Sequence, residues 1–150
     1  MPESITLDAL QWLADIDGGL VELESSAASL SDHDKAVLRE AIADVRAVMS
    51  FARLAYSSEA PPTERPPSKW VPIARPSPAL AAIVAATDEV LKQTPWELIE
   101  YAKAAVDERH QRAFLLVTGD VLGSIFINLF RAVWDEYPQY APDDWKHAVP

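Results

Sequence analysis

The prolines limit what this chain can fold into more than any other residue type. Seven of its 12 prolines fall between Pro61 and Pro78. Each removes a backbone donor and fixes φ, so the segment 60–77 can be neither helix nor interior strand. Its 18 residues would reach about 56 Å in polyproline conformation, at about 3.1 Å each. That is enough to run the length of a long helix and return the chain to either end.

Both flanks read as helix. Leu13, Ile16, Leu20, Leu23, Ala27 and Leu30 recur at alternating steps of three and four, which keeps one stripe of a helix against a partner. The pattern continues through Gly18 and Gly19 and predicts one helix over 6–29, with a break at the glycine pair as the alternative. Ser31 is a helix N-cap residue, and Leu38, Ile42, Val45, Met49, Ala52 and Tyr56 carry a second stripe over 32–57. The short connection makes these an antiparallel hairpin about 36 Å long. Ser77 with Pro78 opens a third helix through Lys92, and Thr94, Pro95, Trp96 and Glu97 form a capping box with proline at the first helical position. A single helix from Pro95 to Tyr137 would be about 64 Å long, nearly twice the hairpin, so a break near Gly119 is expected.

The sequence therefore predicts an all-α fold, a five-helix bundle in one composite domain. The hairpin covers 6–57, the Pro-rich extended strap 60–77, a helical part 78–137 and a tail 138–150, with Tyr140 and Trp145 in the tail. Lys69, Trp70, Val71, Pro72 and Ile73 form an apolar island in the strap, with which Trp70 and Ile73 either pin it to the bundle or meet a partner.

Charge and composition exclude several function classes. The net charge is −10, and both helical parts are acidic. Nucleic-acid and anionic-membrane binding rely on Lys and Arg, so neither is expected. Cys is absent, which removes thiolate chemistry and every Cys-based metal site. The N-terminus lacks a basic, then apolar, leader pattern, and a cytoplasmic location is expected. The apolar window Phe114–Phe130 contains Asp120, Asn128 and two glycines and reads as a buried helix.

On a helical wheel, Asp120, Ser124, Asn128, Arg131 and Asp135 share one arc of the last helix, with apolar residues around it. They are candidates for a polar network or ligand cleft, or for a solvated stripe closed by an Arg131–Asp135 pair. Arg109 lies on the apolar arc of Leu98, Ala102, Ala105, Val106 and Ala113, where it either finds Asp120 or Asp15 or extends to water. Asp107 and His110 have metal-chelating spacing, but a di-iron bundle needs such a pair on each of two helices. Gly119 and Gly123 allow another helix to approach, and with Trp70, Ile73, Phe126, Phe130 and Trp134 they are candidate interface residues.

No Walker loop, dinucleotide fingerprint, nucleophile elbow or zincin motif is present. The function expected first is a non-catalytic interaction or regulatory module, homodimeric, acting through helical faces or the strap on a protein partner or on itself, without metal or cofactor. An acidic inhibitor of antitoxin, immunity or anti-defence type is the first alternative. An enzyme or small-ligand-binding bundle using the polar arc is the second.

Overall fold

A computed structural model describes residues 3–58, 68–105 and 107–143, and among these every regular element is helical. The first half of the expected strap and Trp145 of the tail lie outside the described residues. Helix α1, Glu3–Ser26, runs unbroken through the glycine pair and ends in a tight turn, Ala27–Ser29. A β-carbon at Gly18 would meet nothing within 4 Å, so this glycine serves no close approach.

The Ser31 hydroxyl accepts from the Asp34 N–H at 3.2 Å and starts α2, Asp32–Ser57. Arg46 on α2 reaches Asp17 and Glu24 on α1, at 3.3 and 2.6 Å. At the other end, the Thr6 hydroxyl donates to the Tyr56 carbonyl at 3.2 Å. Pairing early residues of one helix with late residues of the other makes the hairpin antiparallel.

The described part of the strap runs back along α2. Ser68 bonds Asp44, and Ser77 bonds Asp34 at 2.8 Å, so ten residues of strap pass about 15 Å of helix. Fully extended they would span about twice that. The slack is taken up by left-handed backbone at Trp70, φ 49°, and Arg75, φ 47°.

Beyond the strap come α3, Pro78–Ala86, α4, Asp88–Leu91, α5, Trp96–Ala105, and α6, Glu108–Ile125. A π-helical turn, Phe126–Phe130, joins α6 to α7, Arg131–Glu136. The Ser77 side chain caps α3 through the Leu80 N–H, with Pro78 in its first turn. Three boundaries differ from expectation. The third helix is interrupted at Thr87, whose N–H and hydroxyl both turn back to the Val84 carbonyl. The fourth ends before Asp107, which caps a new helix by accepting from the His110 N–H at 3.1 Å. No break occurs at Gly119, where the backbone stays helical.

Helix α2 packs between α1 and α6, α1 also meets α4 and α5, and α3 lies on the π turn and α7. One apolar core runs from Ala9 to Ala141 and takes in Ile73 from the strap. The stretch Glu108–Glu136 is long and apolar enough to pass as a membrane span by length and composition, contrary to the reading of the shorter window Phe114–Phe130. More than half of its most apolar part is buried against the rest of the chain, as in a core helix.

Candidate functional site

The polar arc of the last helix divides where the π turn begins. In that turn the Arg131 N–H bonds the Phe126 carbonyl, five residues back rather than four. One additional residue in the turn rotates everything after it by about 100°. Asp120, Ser124 and Asn128 are consequently buried, whereas Arg131 and Asp135 face water and stand 4.0 Å apart. A uniform wheel cannot show this division, because it assumes an unbroken α-helical rise.

Asn128 is at the centre of the buried part. Its side-chain amide donates to Asp44 Oδ2 at 2.8 Å and to the Ala41 carbonyl at 3.2 Å. Its backbone carbonyl accepts from the Ile73 N–H of the strap at 2.9 Å. Asp44, also buried, accepts from the Lys69 N–H at 2.8 Å, the Ser68 hydroxyl at 3.1 Å and the Val71 N–H. Lys69 and Val71 flank Trp70, and the left-handed backbone at Trp70 turns both amides onto one carboxylate, as in an anion-cupping nest. Burial pushes the Asp44 carboxyl up, but the bonds from Lys69, Asn128, Ser68 and Val71 outweigh it and hold the pKa below the ordinary value.

Ser124 is satisfied within its own helix, its hydroxyl donating to the Val121 carbonyl at 2.8 Å. The neighbouring Thr118 shares a 2.6 Å hydrogen bond with the Tyr56 hydroxyl, which burial drives above its usual pKa. The interior polar groups thus fasten strap, α2 and last helix to one another.

The candidate interface residues are mostly turned inward. Ile73 and Phe130 are buried, and Trp134 nearly so, with Phe130 stacked on Trp134 at 5.4 Å and Phe126 tilted against it at 5.6 Å. The Lys92 ammonium lies over the rings of Phe130 and Trp134, and these residues line a surface cleft of about 240 Å3 with Leu91, Thr94, Leu122 and Ile125. Trp70 lays its ring edge on Gly123, so that glycine receives an indole rather than a helix. A β-carbon at Gly119 would touch nothing within 4 Å, so no helix approaches there.

Arg109 is exposed, because the helix restarts at Asp107 and the register of the apolar arc on α5 does not carry into α6. Asp107 and His110 form a cap, with Oδ2 to Nδ1 at 2.5 Å. Bonding to the His110 backbone and ring lowers the Asp107 pKa. Lys103 with Glu100 and Arg112 with Glu108 are exposed ion pairs of a solvated face. Among the described residues no group of three or more His, Asp or Glu side chains is gathered closely enough to hold a metal ion.

A second cleft, about 350 Å3, opens between α1 and the start of α5 and is lined by Asp8, Gln11, Trp12, Asp15 and residues 93–98. The Trp12 indole N–H is fixed on the Gln93 carbonyl at 3.1 Å, and Gln11 donates to Asp15 at 2.9 Å. Trp96, the first residue of α5, is 65% exposed at this cleft. Reading residues 94–97 only as a helix start missed it. The available signal was Asp8, Gln11, Trp12 and Asp15 at helical spacing on one face of α1. Comparison with protein-family models, with curated proteins and with solved structures finds no match to this chain.

Proposed function

We propose that the chain is a non-catalytic interaction module of the cytoplasm, which binds a protein partner through its helical surface. The observation that carries this reading is Trp96, a large indole left 65% exposed beside a cleft that the fold has already braced. Tryptophan, with tyrosine and arginine, is enriched among the few side chains that dominate binding energy at protein interfaces. The interior polar groups support the same reading from the other side: Asp44 and Asn128 are engaged with each other and with the strap backbone. The apolar last helix packs much of its surface on the chain's own α2, α3 and strap, so the partner in this proposal is a different protein rather than a second copy.

A photo-crosslinking residue placed at position 96, with position 54 as the control, tests this in the host cell. Leu54 is 74% exposed and equally accessible to chance encounters. A discrete adduct at 96 and none at 54 is expected. Equal adducts at both positions, or none at 96, would refute the proposal. An adduct of twice the chain mass would transfer the site to a homodimer.

A further inference from the structure

The cleft beside Trp96 carries a single sign of charge. Its ionisable lining residues are Asp8, Asp15 and Glu97, and its other named walls are the indoles of Trp12 and Trp96, two glutamines, Thr94, Pro95 and Leu98. An indole face attracts a cation through its quadrupole, and carboxylates bind a guanidinium through charge-assisted hydrogen bonds. Both preferences converge on one ligand chemistry. The cleft is also organised before anything enters it, since the Gln93 carbonyl holds Trp12 and Gln11 orients Asp15. Such bracing reduces the ordering cost of binding.

Size and net charge narrow the occupant. At about 350 Å3 the cleft is near the lower limit of small-ligand pockets, which suits one long side chain rather than a helix or a folded edge. The chain's net charge of −10 draws basic segments towards it and repels acidic ones. Resting on the interaction reading above, we propose that this cleft receives an arginine side chain from a basic segment of the partner protein. The guanidinium stacks on the exposed Trp96 indole, against the edge of the buried Trp12, and is bonded by the carboxylates of Asp8, Asp15 and Glu97. Arginine suits the site better than lysine, because its planar fork both stacks on an aromatic face and pairs with carboxylate.

The test titrates the 15N-labelled full chain with a capped Arg-Gly repeat peptide, and with the same peptide carrying neutral citrulline for arginine. The Trp12 and Trp96 indole resonances are expected to move with the arginine peptide and to stay in place with citrulline. Trp96→Ala should weaken binding about tenfold, between the sizes of an exposed and a fully desolvated cation–aromatic contact. Asp15→Asn with Glu97→Gln should do the same, whereas Glu40→Gln with Glu136→Gln, which removes equal charge from exposed positions elsewhere, should change it less than about twofold. Melting curves establish that each variant is folded.

Equal weakening by the two charge-removing pairs would reduce the effect to general attraction of a polycation and overturn the proposal. Stationary indole resonances would overturn it as well. If position 96 still crosslinks a partner while the arginine peptide fails, only the cationic occupant is lost. If both fail, the interaction reading falls with it.

Discussion

Replacing Asp44 by alanine should detach the strap. In the native fold its carboxylate collects the Lys69 and Val71 N–H groups, the Ser68 hydroxyl and the Asn128 amide. A hydrogen bond to a charged group contributes about 1.5–3 kcal/mol, but the four do not sum. Lys69 is exposed and Ser68 half-buried, so their donors regain water once released. Asn128 is fully buried and does not, which leaves its amide with the Ala41 carbonyl alone. The net loss is about 3 kcal/mol, and in a chain of this length that lowers the melting temperature by about 6–12 °C.

Hydrogen exchange separates a strap effect from general weakening. The Ile73 N–H bonds Asn128 across the strap–helix seam, and its exchange in Asp44→Ala should accelerate by at least as much as that of the core helices. A melting temperature within about 2 °C of the wild type, together with unchanged Ile73 exchange, would refute the assignment of Asp44 as the fastening group. A lower melting temperature with Ile73 still protected more strongly than α2 would place the loss in the core instead.

Acidification should reproduce part of this effect. The folded pKa of Asp44 is depressed, so its contribution is present above the unfolded value of 3.8 and lost as pH falls through the folded one. Melting curves below about pH 4 should therefore fall less steeply for Asp44→Asn than for the wild type, with the Asp107 cap supplying some of the remaining slope. Tyr56→Phe removes the 2.6 Å bond to Thr118 and should cost about 1 kcal/mol by denaturant titration. Because burial raises the Tyr56 pKa, its stabilising contribution should decline as pH climbs past the usual 10.0, and the 295 nm titration should contain an ionisation above that value that Tyr56→Phe removes. Gly119→Ala has open space around its new methyl and should stabilise by up to about 1 kcal/mol through helix propensity. Gly123→Ala, whose methyl would meet Trp70 Cη2 at an ordinary 3.5 Å, should be tolerated, and Gly123→Leu should expel the Trp70 ring, read as a change in its fluorescence.

The sequence displays its helices where local chemistry dominates. Ser31, Ser77 and Pro78 mark helix starts because caps and proline act within a turn of themselves, and Pro95 stands one residue before α5 rather than at its first position. It conceals the features that depend on distant partners. Asp44 interrupts the apolar run of Ala41, Val48 and Ala52, a visible anomaly, but its donors arrive from residues 68–71 and 128. The π turn has no local mark at all, since Phe126–Phe130 reads as ordinary helix until a strap amide needs the Asn128 carbonyl. Arg109 extends to water, one of the two outcomes its place on the arc allowed, because Asp107 caps a new helix and restarts the register, which a charged residue in a helical pattern does not announce.

The strap and the π turn depend on each other. An α-helical Asn128 carbonyl would be engaged by its own helix, and widening the turn makes it available to Ile73. The buried Ile73 amide would be unpaired without the Asn128 carbonyl, and Asp44 collects the N–H groups of Lys69 and Val71 beside it. Contacts 84 and 87 residues apart in sequence thus close the chain, and neither acidic half has a complete set of partners without the other. A further long-range bond, from Trp12 to Gln93, 81 residues on, closes α1 against the start of α5. The interior closure has its donors matched, the Asn128 amide and the strap N–H groups of residues 69, 71 and 73 all being received, while the buried Asn128 Oδ1 has no hydrogen-bond partner among the described residues. The surface closure leaves an open cleft with an exposed indole and acidic walls, and that accessibility is what favours Trp96 over the buried arc of the last helix as the proposed partner site.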